Sequence, residues 1–147
     1  MREIKFRAWD KEDCVMRTVL GFSLYHGAVS VDIGNGKYLQ DDTERFELMQ
    51  YTGLKDKNGV DIYEGDIVTD MRGREIYQVI FSDGDDIGSN GGEYYNWVYG
   101  FVPAHADGSV DDIGRCEFVY EKMILGSAEI IGNIYENPEL LEAKQWP

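Results

Sequence analysis

Cysteine, histidine and proline are scarce in this chain: two, two and three among 147 residues. Cys14 and Cys116 lie about a hundred positions apart. They build neither a disulfide framework nor a zinc ribbon, and His26 and His105 do not complete a Cys/His metal site. The expectation is two reduced thiols in a cytosolic protein. Long apolar runs are missing too: none exceeds about three residues, against the roughly 20 that a membrane helix needs. The N-terminal Met1-Arg2-Glu3-Ile4-Lys5 lacks the apolar stretch of a signal peptide. Basic residues are outnumbered 14 to 28, leaving a net charge of −14. Duplex DNA binding draws on Lys and Arg to neutralise phosphates, so direct binding to that polymer is disfavoured.

What is present excludes disorder. Apolar residues make up 43% and aromatics 13% of the chain, unlike an acidic tail. A chain this long buries roughly 70% of its unfolded surface, enough for one sizeable core. The charge is unevenly placed. Residues 1–50 hold nine acidic and seven basic side chains, whereas residues 51–147 hold nineteen and seven. In the stretch 82–117 eight acids (Asp83, Asp85, Asp86, Glu93, Asp107, Asp111, Asp112 and Glu117) face Arg115 alone. Like charge and many glycines predict long solvated loops around a strand.

Seventeen glycines among β-branched and aromatic residues predict short strands and many turns. Glu3-Ile4-Lys5-Phe6-Arg7-Ala8 alternates polar and apolar, the period of a half-buried strand. Trp9 is expected to end it, with Asp10-Lys11-Glu12-Asp13 as a charged turn and residues 15–20 as the returning strand. Residues 22–25 and 28–33 read as another pair, punctuated by Gly27 and by Gly34-Asn35-Gly36. Residues 45–51 alternate with Phe46, Leu48 and Gln50 on one face. Asn58-Gly59 is the strongest turn signal, a pair suited to two successive positive φ angles. Residues 62–68 lead into a further strand, others are expected over 76–81, 95–102 and 129–135, and 118–125 is ambiguous between a strand and a short helix. Asn137-Pro138-Glu139 opens a short helix, with Asn137 as its cap.

Four segments together resemble one family. They are Phe6-Arg7-Ala8-Trp9-Asp10, the long block from Glu47-Leu48-Met49-Gln50-Tyr51 through Leu54-Lys55-Asp56-Lys57-Asn58-Gly59, Ile62-Tyr63-Glu64-Gly65-Asp66-Ile67-Val68, and Ile131-Gly132-Asn133-Ile134-Tyr135-Glu136-Asn137-Pro138. In order and over most of the chain, they resemble the YopX-like proteins of bacteriophages and prophages. Residues 21–44 and 83–128 carry no such motif. The resemblance implies a mostly β protein of phage genomes acting in the bacterial cytoplasm. It implies no activity, and no catalytic residue is carried over. The expected fold is mainly β with minor α: an N-terminal β subdomain over 1–50 and, over 51–147, a small SH3-like barrel with acidic loops and a C-terminal helix. The barrel rests on analogy, with Gly65 turning the chain into a strand and Asp66 bonding the turn backbone.

Catalytic motifs are absent. Gly36-Lys37 is followed by Tyr38, not Ser or Thr, so no phosphate-cradling loop forms. Asp83-Gly84-Asp85-Asp86-Ile87-Gly88 starts like a calcium loop, but Ile87 and Tyr94 stand at ligand positions. Glu64 and Asp66, two apart, would face one way on a strand and share a metal or proton, yet a turn-capping role explains Asp66 without chemistry. Tyr95, Trp97, Tyr99 and Phe101 alternate onto one face, more in keeping with a core than with base stacking. No catalytic residue, metal or cofactor is assigned. The expected function is a non-enzymatic protein-interaction module. Its candidate contacts are Asp83, Asp85, Asp86, Glu93, Asp111 and Asp112, and a basic protein is the expected partner. The alternatives are a metal-dependent hydrolase using Glu64, Asp66 and the 83–86 carboxylates, an acidic DNA mimic, or a homo-oligomer paired through exposed strand edges.

Overall fold

The computed structural model describes residues 3–69, 73, 76–83, 99–104 and 127–142. The chain is mainly β, with two antiparallel sheets and one short helix among the described residues. It divides into two compact units, Met1–Tyr51 and Thr52–Pro147.

The first unit is a run of antiparallel strands: β1 (Phe6–Asp10), β2 (Val15–Ser23), β3 (Ala28–Gly34), β4 (Lys37–Asp42) and β5 (Phe46–Lys55). They lie in the order β4-β3-β2-β1-β5. The alternation expected near the N-terminus holds, but β1 does not stop at Trp9. It includes Asp10, which pairs with Val15 on one side and Phe46 on the other. Ala8, Val29, Val31 and Phe46 form the buried cluster, flanked by Val19, Leu39 and Leu48. Registry puts these on one face, since Ala8 opposes Leu48, and Val31 opposes both Val19 and Leu39. On β5 the expected face of Phe46, Leu48 and Gln50 joins this cluster through Phe46 and Leu48, and on the opposite face Met49 and Tyr51 are nearly inaccessible too. The expected strand over 22–25 is corrected: β2 runs on through Phe22 to Ser23, and residues 24–27 form the turn to β3.

Turn chemistry also falls differently from expectation. Asn35 (φ 55°) and Gly36 (φ 71°) both take positive φ, and they form the two-residue link between Gly34 and Lys37. At Asn58-Gly59, where that geometry was expected, only Gly59 takes it. The reason is Asp56, whose carboxylate holds the loop from within.

β5 crosses into the second unit, where its end lies beside β6 (Asp61–Tyr63). The other sheet has the order β10-β7-β8-β9, from β7 (Asp66–Thr69), β8 (Ile76–Asp83), β9 (Tyr99–Ala104) and β10 (Glu129–Asn133). This sheet is a three-stranded meander, β7 to β9, with the last strand, β10, returned beside β7. β7 is central and buried on both faces, as its uninterrupted Asp66-Ile67-Val68 burial shows. The core here gathers Ile62, Val68, Tyr77, Val79 and Ala128. Each large apolar side chain so buried contributes about 1.5–3 kcal/mol.

The helix α1 (Glu139–Glu142) is one turn long. Asn137 does not cap it with its side chain. That oxygen turns back to accept the Asn133 N–H at 3.3 Å. Gly132 leaves room for this contact: a Cβ there would lie 2.5 Å from Asn137 Oδ1 and 2.9 Å from Asn137 Cβ. Gly132→Ala is therefore expected to destabilise the chain by about 1–3 kcal/mol in urea unfolding. Adding Asn137→Gly should recover part of that loss, whereas an unchanged urea midpoint in Gly132→Ala would show that the clash is not felt.

Candidate functional site

Among the described residues, several carboxylates are held by guanidinium or backbone N–H groups. Asp10 is the first. Ala8 faces the core, and two residues on, Asp10 must face it too. Its side chain is fully buried. Oδ1 accepts Arg45 Nε at 2.9 Å and the backbone N–H groups of Glu12 and Asp13 at 3.1 and 3.2 Å. Oδ2 accepts Arg45 Nη2 and Arg17 Nε, both at 3.0 Å. Arg45 thus grips Asp10 bidentately, the strong geometry for this pair. Its guanidinium also reaches Asp41 at 3.1 Å, Asp13 at 3.2 Å and Glu12 at 2.9 Å. Arg17 Nη2 meets Asp13 as well.

These contacts set the protonation states. The Arg45 guanidinium, and then Arg17 and the two backbone N–H groups, hold the Asp10 carboxyl well below the usual carboxylate range against the opposing effect of burial. Asp10 in turn raises Arg45 and Arg17 above the ordinary arginine value. Asp41 is lowered by the Asp42 N–H and then by Arg45. The shifts of Asp10, Asp41, Arg17 and Arg45 all favour their charged forms, so each strengthens the others' pairing. The cluster is a staple joining the ends of β1, β2 and β4 to the residue before β5.

Two further motif aspartates act on backbone. Asp56, nearly buried, accepts the N–H groups of Asn58 (2.8 Å) and Val60 (2.9 Å) on Oδ1 and of Ile130 (3.2 Å) on Oδ2. Burial pushes its carboxyl up, but these N–H groups together outweigh it and the net shift is downward. Asp66 is 1% exposed and accepts the Tyr63 N–H at 2.8 Å, as expected of a turn residue. Gly65 within that turn donates to Val79 O and accepts from Ile134 N. Asn133, the fourth motif anchor, accepts the N–H groups of Tyr135 and Glu136 and donates to Glu136 Oε2 at 2.6 Å.

The residues expected to meet a partner are placed less completely. Asp83 closes β8, where its backbone pairs with Tyr99. Asp85, Asp86, Glu93, Asp111 and Asp112 lie outside the described residues, as do Tyr95, Trp97 and the ambiguous stretch 118–125. Among the described residues, no group of three or more His, Cys, Asp or Glu side chains is arranged to hold a metal ion. No described helix is long and apolar enough to cross a membrane.

Sequence reasoning missed two features. The Asp10 cluster was hidden because four charged residues in a row read as a turn. Its signal was the phase of the alternation, which carries Phe6 and Ala8 onto Asp10. The other is the tip of the β2–β3 hairpin, where Leu24 and Tyr25 stand 98% and 92% exposed.

Comparison with known proteins adds a relationship. A family model described as YopX protein matches residues 5–142. The crystal structure of protein EF1440 from Enterococcus faecalis is similar, with a TM-score of 0.58 and 25% identity, over 96% of this chain and 99% of that one. No curated protein matches the chain.

Asp10→Asn is expected to cost about 3–5 kcal/mol at neutral pH, since two guanidiniums lose their buried counter-charge. The folded-state carboxyl titrates below its unfolded value of about 3.9. Its stabilisation is thus complete well above that value and is lost as pH falls through the lower, folded one. Urea unfolding of wild type and variant should show their difference shrinking below about pH 4. A pH-independent difference would remove the ion cluster as its cause.

Proposed function

The chain belongs to the YopX protein family, and from that premise we propose that it is a non-enzymatic accessory protein of phage or prophage. It works in the bacterial cytoplasm by binding another protein, and its acidic surface selects a basic one. The observation that carries this reading is how the motif carboxylates are used. Asp10, Asp56 and Asp66 each lie in a motif segment, and each binds guanidinium or backbone N–H groups. The residues behind the family relationship therefore build a scaffold. Asp66, which a carboxylate-metal hydrolase would need, is engaged by the turn that it closes. The excess charge lies elsewhere, with nineteen acids against seven bases in residues 51–147. Such a field accelerates encounter with positively charged partners and repels nucleic acid.

The test is capture of host proteins on the tagged full chain at about 50 mM and about 500 mM salt, where screening differs strongly. Basic proteins retained at low salt and released at high salt are expected. Their retention should fall in a variant combining Asp83→Asn, Asp85→Asn, Asp86→Asn, Asp111→Asn and Asp112→Asn. Finding no salt-sensitive partner would overturn the proposal. Release by duplex DNA would favour a DNA mimic. Calorimetric binding of magnesium, manganese or calcium that Asp66→Asn abolishes would favour the hydrolase.

A further inference from the structure

The hairpin joining β2 to β3 ends in a combination that the fold does not itself use. Ser23 pairs with Ala28, and Gly27 takes φ 61° to close the four-residue turn between them. Leu24 and Tyr25 sit at its head, 98% and 92% exposed. Below them Leu20 and Phe22 are 58% and 45% exposed, which extends the apolar surface along β2. Single exposed apolar residues are ordinary, but two adjacent large ones at a tip, continued by two more, form a patch. The tip is also a defined object. The Tyr25 ring meets the His26 ring edge-on at 5.0 Å, and Gly27 O accepts the Thr43 N–H at 3.3 Å.

That last bond gives the patch its chemistry. It brings the turn 42–44 beside the tip, as does the pairing of Ala28 with Asp42. Asp42 and Glu44 are exposed there, and the Asp42 carboxylate holds the turn by accepting the Glu44 N–H at 2.9 Å. The nearby cation, Arg45, is occupied by Asp10, Glu12, Asp13 and Asp41. An apolar pair beside two exposed acids, Asp42 and Glu44, is the layout of a contact with a charged rim. We propose that the β2–β3 tip is a docking element: Leu24 and Tyr25 enter an apolar pocket on a protein whose rim carries Lys or Arg side chains opposite Asp42 and Glu44. This rests on the protein-binding reading above and moves a contact surface into the first unit. The same acids oppose seating on an anionic lipid surface, and a net charge of −14 opposes a second copy of the chain.

The experiment is site-resolved photo-cross-linking in bacteria that express the full chain, with a benzoylphenylalanine placed at position 25 or, as control, at exposed position 18. A protein adduct at 25 and not at 18 is expected. The cross-linked protein, purified, should bind the wild-type chain at least tenfold more tightly than Leu24→Ser/Tyr25→Ser, and more tightly than Asp42→Asn/Glu44→Gln. Because Leu24 and Tyr25 are exposed, the Leu24→Ser/Tyr25→Ser variant should keep the wild-type melting temperature. No adduct at 25, an adduct to a second copy, or binding unchanged by the tip substitutions overturns the inference. So does flotation with phosphatidylcholine vesicles that Leu24→Ser/Tyr25→Ser abolishes. If a salt-sensitive partner is lost from the Asp83/Asp85/Asp86/Asp111/Asp112 variant but kept by both tip variants, the tip fails and the protein-binding reading survives. If no salt-sensitive partner exists, both fail.

Discussion

A carboxylate buried at the end of β1 constrains the whole first unit. Taking Asp10 out of water carries a penalty of several kcal/mol unless its oxygens are satisfied. Here they accept five hydrogen bonds, three from two guanidiniums and two from backbone. The donors come from β2, from the residue preceding β5 and from the turn after β1. They are in reach only when all of these lie in the observed register. A one-residue slip of β1 would turn Asp10 to the opposite face and take from both arginines the buried carboxylate they share. A hydrophobic residue at this position would bury well yet remove the buried carboxylate that both guanidiniums share, leaving them only the more exposed acids around them. The sheet's alignment and its ion cluster therefore require each other.

The second unit solves a similar problem with backbone N–H groups in place of guanidiniums. Asp56 serves two donors in its own loop and one on β10, Ile130, 74 positions further along the chain. A single side chain thereby closes a local turn and ties it to the returning strand. Asp66 and Asn133 stand opposite each other where β7 and β10 pair, and each shapes the turn beside it. In each case a short side-chain acceptor at a turn binds backbone N–H groups and fixes the turn's geometry. This explains why so many motif positions are Asp, Asn or Gly: the motif records what the backbone needs at its corners.

Much of the fold was legible because strand alternation and glycine punctuation are local signals. Apolar alternation marked β1 and β5, turn punctuation marked β2 and β8 beside them, and the division of charge between the halves came from counting. What escaped depended on partners distant in sequence. Asp10 looks like any turn aspartate until Arg45, 35 positions away, is seen against it. Asn58-Gly59 carries the stronger turn signature, but the turn there follows Asp56, and the paired positive φ angles occur at Asn35-Gly36 instead. Asn137 sits at a favourable capping position, yet its oxygen serves Asn133. Local propensity named the residue types correctly, and tertiary contacts decided what each was used for.

The candidate site was the least legible part, and for a related reason. Motifs identify residues whose side chains are fixed by the fold, and such side chains have little left for a partner. Residues 21–44 and 83–128 carry no motif of the family resemblance, and they hold the exposed Leu24–Tyr25 tip and most of the clustered acids. In the proposed protein-binding reading the two halves contribute different things to recognition. Excess negative charge acts over about a Debye length and governs encounter, with little regard to shape. Two apolar side chains act only on contact and govern how long an encounter lasts. A partner chosen by charge alone would leave readily as salt rises, whereas one that also seats Leu24 and Tyr25 would hold on after the field is screened.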